Sequence, residues 1–181
     1  MNILATILII ISDILFVISM FTNQKKILLF LLICSNIFFA SQYLCYQDGI
    51  TGGICALINT SFLIGNYYIE KNNTDNYKIY FNIFAMICNI AIAIITWVGE
   101  ISLLPMFANL LYFSGIMQNK IYFSKLFLFI CNTLNVIYMF ILTQYVGGAL
   151  EILIANSSLV GAVYSYIKLK NQKIWFLIKD K

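Results

Sequence analysis

The stretch ILLFLLICSN, residues 27–36, returns as SKLFLFICNT at residues 124–133. At this offset of 97 positions Leu29, Phe30, Leu31, Ile33 and Cys34 meet identical residues. Leucine and phenylalanine matches are cheap in so apolar a chain, but polar matches are not. Extending the register without a gap brings Gln47 onto Gln144, Asn59-Thr60-Ser61 onto Asn156-Ser157-Ser158, Tyr67 onto Tyr164 and Lys71 onto Lys168. The chain therefore reads as an internal duplication.

What is duplicated is apolar and long enough to cross a membrane. Of 181 residues, 62% are hydrophobic and 10% charged, and the mean hydropathy is +0.90. A soluble domain of this size could not cover itself with so few charges. A hydrocarbon core takes about 20 apolar residues per helix, and seven such spans are predicted: Ile3–Phe21, Ile27–Cys45, Ile50–Ile69, Ile79–Trp97, Ile101–Met117, Ile121–Thr143 and Ala149–Ile167. They leave no room for a soluble catalytic or binding domain. The first span has no basic residue before it and no small-residue cleavage pattern after it, so it is not expected to be a removed signal peptide.

Lysine sets the orientation. Lys25 and Lys26 fall between spans one and two, Lys71 and Lys78 between three and four, and Lys120 and Lys125 around the start of span six. Lys168, Lys170, Lys173, Lys179 and Lys181 follow span seven. All 11 basic residues thus fall on alternate connections, which places the C-terminus in the cytoplasm and the N-terminus outside. The net charge of +4 describes these connections and gives no reason to expect a nucleic-acid partner.

Three helices followed directly by their copy would leave the copy inverted. The fourth span, unmatched in the repeat, restores a parallel orientation about an axis along the membrane normal. The predicted fold is an all-α integral membrane protein with seven transmembrane helices arranged 3+1+3. Residues 1–71 form the first repeat, 72–98 the linker helix, 99–168 the second repeat and 169–181 a basic cytoplasmic tail. That tail, with five apolar residues among its lysines, suits an interfacial anchor on anionic lipid.

Polar residues inside the spans are the candidates for function. Asn59 and Asn66 are seven apart on one helical face, as are Asn82 and Asn89, and Asn132 and Asn135 share a face of span six. Each could simply bond across helices, and a chain rich in Ile, Asn, Lys and Tyr without Arg also suits an AT-rich genome. The repeat-matched pair Asn59 and Asn156 is different: symmetry places both at one depth, where amides can donate to and accept from a polar solute. Asp13 and Glu151 are carboxylates within spans, where ionisable groups are functional candidates. Asp13 could bind a cation or carry a coupled proton, or bond a neighbouring helix as a neutral acid; Glu151 could reach outer water. The candidate solute-binding set is Asn59, Asn156, Asp13, Ser157, Asn135, Tyr138 and Glu151.

The arrangement resembles the superfamily of SWEET, semiSWEET and PQ-loop carriers with their PnuC relatives. The resemblance implies that asparagines on the third and seventh helices, here Asn59 and Asn156, face each other across a solute pocket. The chain is also similar to the YgjV family of bacterial inner-membrane proteins, on Leu103-Leu104-Pro105, on Gly147-Gly148 followed by Glu151, and on the lysine-bounded C-terminal end. It departs from PQ-loop proteins in carrying Ser12-Asp13 where their proline-glutamine pair would lie, and Pro105 is its one proline.

The function expected is a small-solute transporter or facilitator of the bacterial cytoplasmic membrane with a central polar pocket. Its partners would be a small polar solute and the lipid bilayer, with room for a homo-oligomer. The alternative is a non-transporting accessory or scaffold protein whose polar residues only pack helices. No enzyme is expected, because no Ser/His pair, metal-ligand cluster or carboxylate pair on one helix is present. Without histidine, and with five scattered cysteines, no metal site or cofactor is expected either.

Overall fold

The computed structural model describes residues 3–44, 50–95, 97, 99–141 and 145–179. Seven α-helices follow one another: α1 (Ile3–Met20), α2 (Lys25–Leu44), α3 (Ile50–Asn72), α4 (Asp75–Ile95), α5 (Leu103–Met117), α6 (Ile121–Ile141) and α7 (Tyr145–Lys179). A 3₁₀ turn, Glu100–Ser102, leads into α5. Among the described residues five helices are long and apolar enough to cross a membrane: α1, α2, α4, α6 and α7. The helix α3 has the length and carries Asn59, Thr60, Ser61 and Asn66 in mid-course, while α5 is apolar but only 15 residues long. Gln47, Asp48 and Gln144 lie outside the described residues, as do the side chains of the lysines beyond Asn171.

The helix ends have local causes. Asn73 closes α3 in the left-handed region (φ 55°), and the Thr74 N–H donates to the Ile69 carbonyl at 3.1 Å. That is a left-handed cap with asparagine in the place usually taken by glycine. Pro105 is the third residue of α5, where its missing N–H would have no intrahelical partner anyway.

The helix α2 packs against both α1 and α3, and α6 against both α5 and α7. The helix α4 bridges α3 to α5, and α1 meets α7. At this last crossing the backbone of Gly161 lies against the Met20 carbonyl, so that even a methyl group would collide with main chain. Leu28, Leu29, Leu32 and Leu63 share a core cluster with Ile116, Ile121 and Leu128. Polar bonds also cross between helices. Asn66 and Asn82 exchange two amide hydrogen bonds (3.0 and 2.7 Å), Ser12 pairs with Ser35 (3.1 Å), and Asn132 donates to Ser158 (3.3 Å).

All the described lysines but Lys120 lie within helices rather than on the connections expected, and three of them, Lys25, Lys78 and Lys125, are buried. Lys125 Nζ donates to the carbonyls of Thr22 (2.6 Å) and Gly161 (3.4 Å) and to Ser165 Oγ (2.7 Å). Lys25 Nζ reaches the other way, to Ser124 Oγ and the Gly115 carbonyl. Lys78 pairs with Glu70 at 3.2 Å and donates to Asn119 at 2.9 Å. Long flexible stems let these ammonium groups reach backbone and side-chain oxygens on neighbouring helices and turns. They tie the turns α1–α2, α3–α4 and α5–α6 together at one end of the bundle. Through the basic tail α7 runs on without a break to Lys179.

Candidate functional site

A cavity of about 300 Å³ lies among α1, α2, α3, α5, α6 and α7. Each helix contributes through one inward face. Ser12, Asp13 and Phe16 come from α1, Ser35, Asn36 and Phe39 from α2, and Ala56 and Asn59 from α3. Pro105, Asn109 and Tyr112 come from α5, Cys131, Asn132, Asn135, Tyr138 and Met139 from α6, and Glu151 and Ile154 from α7. These positions lie away from the buried lysines. Asp13 is seven residues before Met20 and Glu151 ten before Gly161, which at 1.5 Å per residue is about 10 and 15 Å along the helices.

The lining is itself paired along the chain. Asp13 and Asn109, Phe16 and Tyr112, Ser35 and Cys131, Asn36 and Asn132, and Phe39 and Asn135 are each 96 positions apart, and both members of every pair line the cavity. Burial follows the same offset: Leu28, Leu29, Leu32 and Ser35 on α2 match Ser124, Lys125, Leu128 and Cys131 on α6. For the third helix of each set the offset is 98, with Ala56, Thr60 and Leu63 matching Ile154, Ser158 and Gly161.

Five of the seven residues expected from sequence meet here: Asp13, Asn59, Asn135, Tyr138 and Glu151. Asn156 and Ser157 do not. The Asn156 side chain is exposed on the outer face of α7, and Ser157 is half-buried and donates to the Ile154 carbonyl at 2.7 Å. The expected pair of facing amides is therefore not formed. One residue turns a helix by about 100°. Identical letters align at 97, while inward faces align at 98 on α3 and α7, which rotates Asn156 away from the position that Asn59 holds. Sequence reading missed Asn36, Asn109 and Tyr112 as lining residues and left Asn132 out of the binding set; the offset of 96 that relates them to other lining residues emerges from the structure.

The cavity's electrostatics are unbalanced. Asp13 and Glu151 approach closely enough for their charges to interact, and among the described residues no lysine lines the wall. Three buried oxygens of lining residues have no hydrogen-bond partner: Asp13 Oδ2, Asn59 Oδ1 and Glu151 Oε2. The Tyr112 hydroxyl is a fourth, with the Asn36 side chain as its neighbour. Buried polar groups are ordinarily paired, so the wall presents acceptors waiting for donors. Among the described residues no three His, Cys, Asp or Glu side chains gather to hold a metal ion. Chemically the site can bind and orient a donor-rich solute. Comparison with family models, curated proteins and solved structures gives no match to this chain.

Proposed function

We propose that the chain is a small-solute transporter or facilitator of the bacterial cytoplasmic membrane, built as two parallel three-helix repeats joined by α4. This is the arrangement that the SWEET-like and YgjV resemblance implies. The observation that carries the reading is the cavity, whose lining recurs in five residue pairs at one offset and whose carboxyl and amide oxygens stand unpaired. A bundle held together only by packing would close over such atoms, because an unpaired buried acceptor costs about 1–3 kcal/mol. A solute bound there recovers that cost while losing its own water.

Uptake of a broad panel of labelled solutes into liposomes holding the purified protein tests the reading. For a transported solute, Asn59→Ala should weaken binding by about 1–3 kcal/mol, whereas Asn156→Ala, on the outer face, should leave uptake unchanged. A second reading, the non-transporting scaffold, is favoured by the exposed amide of Asn156, which is free to bond a partner helix. It predicts no uptake of any solute, together with loss of a copurifying protein in Asn156→Ala.

A further inference from the structure

We propose that the cavity selects a small organic cation and seats its ammonium group between Asp13, Glu151 and Asn59. The inference rests on the solute-binding reading above and names the solute's chemistry. Beside the Tyr112 hydroxyl, the unpaired wall atoms are Asp13 Oδ2, Glu151 Oε2 and Asn59 Oδ1, three acceptors on three different helices. A primary ammonium has three N–H donors and no acceptor, so it matches the three oxygens in number and kind. A neutral alcohol or sugar hydroxyl brings one donor together with an oxygen of its own, and leaves the carboxylate charge uncompensated. An anion would meet two carboxylates and no base. The three buried lysines sit toward the other end of the bundle and are already bonded to carbonyls, Ser124, Ser165, Asn119 and Glu70.

The rest of the wall suits an organic ion better than a bare metal ion. About 300 Å³ is far more than a metal ion fills. Phe16, Phe39, Tyr112 and Tyr138 bring four aromatic rings to the lining, and aromatic faces attract alkylammonium groups, most strongly where water is excluded. Carboxylates within a helix bundle are costly without a partner. A bound ammonium removes that cost, so binding and stability are coupled.

Thermal unfolding and calorimetric titration of the whole protein in detergent test this with butylammonium and butane-1,4-diammonium as probes. Butan-1-ol, butyrate, sodium and potassium serve as the contrasting set. The ammonium probes should raise the unfolding temperature in a saturable way, and the contrasting set should not. Asp13→Asn and Glu151→Gln should each weaken ammonium binding tenfold or more. Without any probe, the double variant should unfold at a higher temperature than wild type, because two unpaired carboxylates are gone; this also shows that it folds. Equal stabilisation by butan-1-ol, or unchanged ammonium affinity in both single variants, would overturn the cation assignment while leaving the carrier reading intact. Stabilisation by sodium or potassium alone would overturn the organic part. No response to any probe would also overturn it, and the solute panel then decides the carrier reading separately.

Discussion

Asn66 and Asn82 hold α3 to α4 by giving each other one hydrogen bond apiece, and both side chains are buried. Intact bonds between membrane helices are worth about 0.6 kcal/mol on average. Removing one partner is another matter, since it strands a buried amide at a cost of about 1–3 kcal/mol. Asn66→Leu should therefore lower stability by that amount in reversible detergent unfolding, and adding Asn82→Leu should recover part of it. Strict additivity of the two losses would mean that the amides do not act as a pair. These two asparagines are the packing residues that sequence left open as an alternative to ligands, and the structure decides the matter by geometry alone. Asn59, with the same letter on the same helix, faces the cavity instead. Composition and seven-residue spacing put Asn59 and Asn66 on one face, but they do not say what that face meets. Asp13 and Glu151 were legible because a carboxylate in a span stands out; Tyr112 and Asn109 were not, because nothing distinguishes them from neighbours except a register one residue away from the one that letters suggest.

Among elements, the existence of the helices was readable, since apolar runs and lysine-marked turns are strong signals, and most ends fell within three residues; α4 begins four residues before the expected Ile79, and α7 begins four residues before Ala149 and runs twelve past Ile167. Less readable was the depth of the lysines themselves. A lysine in the first five residues of a helix can thread its stem inward as easily as outward, and a sequence does not show which acceptors wait at the far side. Lys125 is the clearest case, fully buried and bonded to the α1–α2 turn and to α7 together. Lys125→Met keeps the apolar stem and removes the donor. It should free the carbonyls of Thr22 and Gly161, and hydrogen exchange of the α1–α2 turn and the middle of α7 should quicken while α4 stays unchanged. Unaltered exchange would remove the lysine as a clasp between these elements. At the same crossing Gly161→Ala should cost about 1–3 kcal/mol in unfolding stability, because the contact is with the Met20 backbone and cannot be relieved by a rotamer change.

For the whole molecule, charge is ordered along the bundle: Lys25, Lys78 and Lys125 at one end, Asp13 near the middle of α1, and Glu151 toward the other end. A membrane protein with that order is a voltage-sensitive object. Asp13 is ten residues along α1, about 15 Å into a hydrocarbon layer of about 30 Å. A monovalent cation travelling to it from the lysine-free end crosses about half of the transmembrane field. At about 2.3 kcal/mol per charge per 100 mV for the full field, occupancy should change about sevenfold for each 100 mV, and a neutral solute's should not change at all. Liposomes clamped by potassium gradients with an ionophore would read this directly. The direction in which occupancy moves with polarity would also report which end of the bundle faces outward. A battery-like membrane would thus load or empty the cavity without touching the protein's fold.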